Sequence, residues 1–238
     1  MASLSGRSDA RWARAGAEHV GAAFLGGVAL DEAAQAAARG AVARGREEFL
    51  TDDPLRFVAD QLDRLVDAPV VPGVNVRATS PAPVRAAARV CARHGAILEV
   101  NAHCRQPEAT AVGCGEALLA DAERLCDQVR AAASADAVVS VKVRTEVDGV
   151  DLPALAVELE AAGADLIHVD AMDSRSVVAD VAAATSCAVI ANNGVRGPWD
   201  VEEYLGHGAD GVSVGRPSTR PAALSRIASA ADAEAIRL

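Results

Sequence analysis

The sequence predicts an α/β fold: a parallel, eight-stranded (β/α)8 TIM barrel in a single domain over residues 1–238. Three observations predict it. Eight short apolar runs alternate with Ala-rich amphipathic stretches, the count that such a barrel requires. The runs read as near-continuous apolar segments, as expected for parallel strands buried on both faces. Finally, Gly95-Ala96-Ile97, Gly163-Ala164-Asp165 and Gly208-Ala209-Asp210 share one device, a helix-ending Gly leading straight into a strand. A doubly wound open sheet is the competing architecture, and it lacks the G-x-G-x-x-G expected after its first strand.

The expected strands, in order, are Ala2–Leu4, Ala22–Leu25, Val70–Val76, Ala96–Val100, Ala137–Val143, Asp165–Val169, Cys187–Ala191 and Asp210–Val214. The first is short, since a strand usually takes about five residues; the true start codon is expected upstream. Helices are expected over Asp9–Val20, Asp31–Arg44, Pro54–Val66, Pro83–His94, Gly115–Ala133, Leu152–Ala162, Ser174–Thr185, Trp199–Gly206 and Pro217–Ala230.

Apolar residues make up 51% of the chain and aromatics 3%, so the core must be aliphatic. The net charge of −10 argues against a surface that attracts nucleic acid as a whole and leaves room for a local basic patch. The five cysteines are scattered without a C-x-x-C pair, which suggests a reducing compartment and no disulfide framework. No metal site is expected. No apolar run reaches the roughly 18 residues of a membrane span, and no signal-peptide pattern is present. A cytoplasmic location is expected. One compositional feature stands out: Lys142 is the only lysine, against 22 arginines. Lysine is a compact point charge and arginine a wide planar fork, so a lone lysine inside the run Val138–Arg144 suggests a place where a fork does not fit.

In a barrel of this kind the chemistry sits at the C-terminal ends of the strands. The residues there are Ser3, Ser5, Gly6, Arg7, Asn75, Arg77, Asn101, His103, Cys104, Arg105, Lys142, Arg144, His168, Asp170, Asp173, Asn192, Asn193, Gly194, Arg196, Gly215 and Arg216. The turns Asn192-Asn193-Gly194 and Gly215-Arg216 follow the last two strands, where barrels commonly hold phosphate on backbone N–H groups; ordinary βα turns are the alternative. Cys104 lies in a polar loop, where a thiol can act as an acid or a nucleophile. Its neighbour His103 can be a base or a supporting hydrogen-bonded group. No G-x-S-x-G hydrolase motif is present.

Taken together, these segments resemble the tRNA-dihydrouridine synthase family of FMN-binding barrels. Ala2-Ser3-Leu4-Ser5-Gly6 is similar to its A-P-M-A-G opening, and Val74-Asn75-Val76 to its V-Q-L segment. Glu99-Val100-Asn101-Ala102-His103-Cys104 is similar to E-x-N-x-G-C-P, and Gly113-Cys114-Gly115-Glu116-Ala117-Leu118-Leu119 to the G-x-G-x-x-L-L that follows it. Val141-Lys142-Val143-Arg144 is similar to V-K-[IV]-R, and the two late turns to the phosphate turns. The chain departs from the family pattern in three ways. His103 replaces Gly and Arg105 replaces Pro; the His-Gly-Arg after the sixth strand reads Asp170-Ala171-Met172, with His168 two residues early; and the sequence reads as a short, diverged branch without the C-terminal helical tRNA-binding domain.

The resemblance implies an FMN-dependent oxidoreductase that reduces uridine to 5,6-dihydrouridine in tRNA. In it Cys104 supplies the proton. Ser3, Leu4, Asn75, Asn101, Lys142, Asn192, Asn193, Gly194, Gly215 and Arg216 bind the flavin, and His103, Arg105, Arg144 and His168 face substrate. NAD(P)H is the implied electron donor. Two other readings stay open: a free-pyrimidine oxidoreductase of the dihydroorotate or dihydropyrimidine dehydrogenase kind, and a non-catalytic flavin- or phosphate-binding barrel.

Overall fold

Five helices start at an Asp whose carboxylate accepts the backbone N–H three residues on. Asp9 caps Trp12, Asp31 caps Ala34, Asp53 caps Arg56, Asp121 caps Arg124 and Asp151 caps Ala154. The glycines read as helix stops take the left-handed backbone that such a stop needs; Gly163, at φ 103°, is one. The computed structural model describes residues 1–235. Its helices are α1 (Ala10–Gly16), α2 (Glu32–Ala43), α3 (Pro54–Asp63), α4 (Pro81–Arg93), α5 (Pro107–Ala111), α6 (Glu116–Leu119), α7 (Ala122–Ala133), α8 (Leu152–Ala162), α9 (Val177–Ala184), α10 (Pro198–Gly206) and α11 (Pro221–Ala235). The expected helix Gly115–Ala133 is therefore two: Asp121 starts a second helix by capping it, and α6 stops two residues earlier, at Leu119.

The strands are β1 (Ala22–Ala29), β2 (Val71–Arg77), β3 (Ile97–Asn101), β4 (Val138–Arg144), β5 (Leu166–Asp170), β6 (Ala188–Asn192) and β7 (Gly211–Ser213). They form one parallel sheet in sequential order. The helices pack on its outside and on one another, α3 on α4, α4 on α7, α7 on α8, and α8 on α9.

The expected closed barrel of eight strands is not formed; the strands make a curled, TIM-like sheet of seven. The expected first strand, Ala2–Leu4, does not form. Met1 and Ala2 instead bridge the two sheet edges: the Phe24 N–H donates to the Met1 carbonyl and the Ala2 N–H to Val214, each at 3.0 Å. Ladder pairing does not run on past Ala2, because the chain turns at once: the Leu4 carbonyl accepts from the N–H groups of Arg7 and Ser8.

The strands also alternate more strictly than a continuous apolar reading allows. Val74, Val76, Leu98, Val100, Val139, Val141, Ile167 and Val169 join the core under the helices. The residues between them are Asn75, Glu99, Ser140, Lys142 and His168, all buried and all polar. A period of two sends these to the opposite, concave face. The interior of the curl is thus polar, and its groups must satisfy one another.

Candidate active site

The polar interior is one connected network. Asn101 Nδ2 donates to Asn75 Oδ1 at 2.8 Å, and Asn75 Nδ2 to Glu99 Oε1 at 2.7 Å. Glu99 Oε2 accepts from Ser140 Oγ at 3.1 Å and from His168 Nδ1 at 2.6 Å. His168 Nε2 lies 2.6 Å from Ser213 Oγ. Burial alone would raise the Glu99 carboxyl; His168, the Lys142 ammonium and the Asn75 bond together hold it below the usual range. Burial and Lys142 lower His168. The neutral imidazole therefore donates from Nδ1 to Glu99 and accepts at Nε2 from the Ser213 hydroxyl.

Above this network the strand ends open into a cavity of about 770 Å3. Lys142 forms part of its wall, though only 2% exposed, and among the described residues its ammonium has no hydrogen-bond or ion-pair partner. Burial lowers its pKa, while Glu99 and Asp170 oppose that. Asp170 lines the same cavity, with its Oδ1 buried and likewise unpartnered.

Two loops shape the rim. After β3, Asn101 Oδ1 accepts from the N–H groups of His103 and Cys104, at 3.3 and 3.1 Å, which turns the chain. Gly115 (φ 62°) then lets the Glu116 N–H reach the Cys104 carbonyl at 2.9 Å; a Cβ at Gly115 would lie 2.2 Å from that oxygen. After β6, Asn193 (φ 86°) and Gly194 (φ 69°) are both left-handed. This turn is braced from behind. The Tyr204 hydroxyl donates to the Asn193 carbonyl at 2.9 Å, and Asp200 accepts from the N–H groups of Arg196 and Gly197 and from Arg175.

Most of the expected site residues fall into two groups, with Arg144 and Cys104 outside both. Ser3, Leu4, His103, Arg105, Lys142, Asn192, Asn193, Gly194, Gly215 and Arg216 all line the cavity. Asn75, Asn101 and His168 lie below it in the buried network. Arg144 is turned to Glu116, at 2.8 Å. The half-buried Cys104 packs beside Ala29, Ala34, Ala38, Ala109 and Cys114, while its neighbour His103 faces the cavity. Burial and Lys142 push the His103 imidazole well below its usual value, so it is neutral. Ser213, Arg220 and Asp170 also line the cavity, and no sequence motif marks them as site residues. Asp170 was within reach as an inward position of its strand; Ser213 lies in a strand too short to show alternation.

Four arginines on the cavity wall, Arg105, Arg196, Arg216 and Arg220, have no carboxylate partner among the described residues. No group of three or more metal-ligating side chains is found among those residues, and no helix there is long and apolar enough to cross a membrane.

Solved structures of similar fold include a putative lyase/mutase from Burkholderia cenocepacia (TM-score 0.60, 19% identity, 99% of this chain and 80% of that one). FabK from Thermotoga maritima is another (TM-score 0.55, 17% identity, 90% and 57%). At such identities the likeness concerns the fold. In sequence, an uncharacterized protein of Methanocaldococcus jannaschii is 30% identical over 121 residues, covering 50% of this chain. The match spans 47% of that relative, about half its length. The model of the dihydrouridine synthase (Dus) family matches residues 71–236, which include the Glu99–Cys104 loop, Lys142 and both late turns, and the chain belongs to that family.

Proposed function

We propose that the chain is a flavin-dependent oxidoreductase that reduces a pyrimidine C5=C6 bond, with uridine in tRNA as its leading substrate and the cavity above the sheet as its site. The observation that carries this reading is Lys142, a buried ammonium without a protein partner that borders the cavity. An unpaired buried charge is costly, and an electron-rich ligand edge would compensate it.

The residues present fit FMN. A volume of about 770 Å3 lies within the range of small-molecule sites, roughly 300–1,000 Å3. The Asn193-Gly194 turn and the Gly215-Arg216 turn offer backbone N–H groups to a phosphate, and Arg196, Arg216 and Arg220 surround them. Bound FMN would supply the hydride for the reduction. Lys142 would stabilise negative charge at the pyrimidine edge of the ring. Asn75 and Asn101 would act from below, by fixing the strand ends rather than by touching the ring. The loop after β3 would deliver the proton: Cys104 is its acid, and neutral His103, on the cavity wall, orients the base. NAD(P)H is the proposed electron donor. A uridine in tRNA would have to flip out of its stack to enter, with Arg105 at the rim to meet phosphate.

Reduction or oxidation of a free pyrimidine is the second reading. The net charge of −10 favours it, because a small substrate needs no basic outer surface. Two measurements test both readings. The purified protein should carry FMN absorbance or take up FMN on reconstitution; a protein that stays colourless would refute both. Dihydrouridine in bulk tRNA should fall in a deletion strain complemented with an inactive variant. Unchanged content, with turnover of a free pyrimidine, selects the second reading.

A further inference from the structure

Lys142 and Asp170 are opposite charges on adjacent strands, both bordering one cavity and neither satisfied by the other. Lys142, two residues before the end of β4, is level with His168 on β5, and Asp170 lies two residues further along. Strand spacing and rise put their Cα atoms about 8 Å apart. They form no ion pair among the described residues. Lys142 is 2% exposed with no hydrogen bond from its ammonium there, and Asp170 Oδ1 is buried without a partner. A buried polar group left unmade carries its full desolvation penalty, so what satisfies one of them should satisfy both.

The two charges limit the ligand chemistry. A phosphate or carboxylate would suit the ammonium but meet the Asp170 charge. A cation would suit Asp170 and be repelled by Lys142. A neutral group with an acceptor and a donor side by side satisfies both. We propose that Lys142 and Asp170 together read the imide edge of a bound ring, with the carbonyl oxygen accepting from the Lys142 ammonium and the ring N–H donating to Asp170 Oδ1. The identity of the ring rests on the proposed function: with FMN in the cavity, the edge is the C2 carbonyl and N3–H of its pyrimidine ring. Asp170 is then a specificity residue. It rejects rings that lack the N–H, because its buried oxygen would be left unpaired.

The test is binding rather than turnover. FMN and N3-methyl-FMN are titrated into the wild-type protein, Asp170→Ala and Asp170→Asn, followed by quenching of flavin fluorescence. The expected result is that the N3-methyl group weakens binding to the wild type at least about 10-fold, the loss of one charge-assisted hydrogen bond. Asp170→Ala should weaken FMN by a similar factor and bring the two ligands within about threefold of each other. Wild-type protein that binds both ligands within twofold overturns the proposal, whatever the variants do. If FMN itself does not bind, the flavin reading falls, and uracil against 3-methyluracil on the same protein decides the imide edge. A clear preference for uracil sustains it; equal binding or none overturns it.

Discussion

Glu99→Gln should destabilise the protein by about 3 kcal/mol, because a buried carboxylate that accepts from three donors becomes an amide that cannot accept from all of them. The substitution keeps the shape of the side chain and removes its charge. Lys142, 2% exposed, then loses the buried carboxylate that compensates it. The new amide also offers N–H groups where His168 Nδ1 and Ser140 Oγ now donate to Glu99. Linkage gives a second route to the magnitude. The Glu99 carboxyl is lowered from 4.5 to about 2, and each pH unit is worth about 1.4 kcal/mol, so ionised Glu99 contributes roughly 3 kcal/mol. That contribution is fully present above pH 4.5 and is lost as pH falls towards about 2. Urea unfolding of both proteins at pH 7, 5 and 3.5 reads it directly. The gap should be full at pH 7 and shrink on the acid side, since only the wild type has this carboxylate to protonate. Adding Lys142→Met to Glu99→Gln should recover more than about 1 kcal/mol, the coupling expected of residues in one network. A Glu99→Gln protein within about 1 kcal/mol of wild type at pH 7, with a gap independent of pH, would refute a charged, compensating Glu99.

Three further outcomes are expected. Lys142→Arg conserves charge but puts a planar fork where a point charge fits; FMN should bind about 10-fold more weakly, or flavin reduction should slow, and no change in either would make the lysine incidental. Cys104→Ala should lower turnover by roughly 100-fold or more while leaving FMN bound, the usual worth of a general acid. Retained turnover would move the proton to another group, and His103→Ala becomes the next variant. Gly194→Ala forces a side chain into a left-handed position, with its Cβ 2.5 Å from Arg175 Nη2. It should cost about 1 kcal/mol or more in urea unfolding and weaken FMN, and unchanged affinity would separate the turn from the phosphate.

The strands and helices were legible where local chemistry announces them. Three glycines marked helix stops, and all three have positive φ. The last seven expected strands all occur in the sheet, and in sequential order. What failed was judged on residue type without a partner in view. Ala2–Leu4 looks like a strand, but only Met1 and Ala2 bond to both neighbouring edges before the chain bends away. The extension of β1 to Ala29 was missed because Gly26 and Gly27 are poor strand residues. Pairing with β2 as far as Arg77 holds them there across a register shift, a tertiary constraint that overrides propensity.

The site was half legible, for a geometric reason. Motifs lie along the chain, so they found the strand ends, and ten of the expected residues do share one cavity. Depth runs across the sheet, and motifs do not carry it. Asn75, Asn101 and His168 belong to familiar-looking segments but point into the curl, where Asn75 and His168 meet Glu99 from other strands and Asn101 bonds to Asn75. Parity would have shown this: the inward residues of β4, Ser140, Lys142 and Arg144, are two apart, and only the first of them bonds to Glu99. Moving up one face by two residues goes from network to cavity wall, as Ser140 to Lys142 on β4 and His168 to Asp170 on β5. β4 and β5 thus each carry a lower group that is satisfied by protein and an upper group that is not. Those upper groups, Lys142 and Asp170, are where a ligand has chemistry left to satisfy.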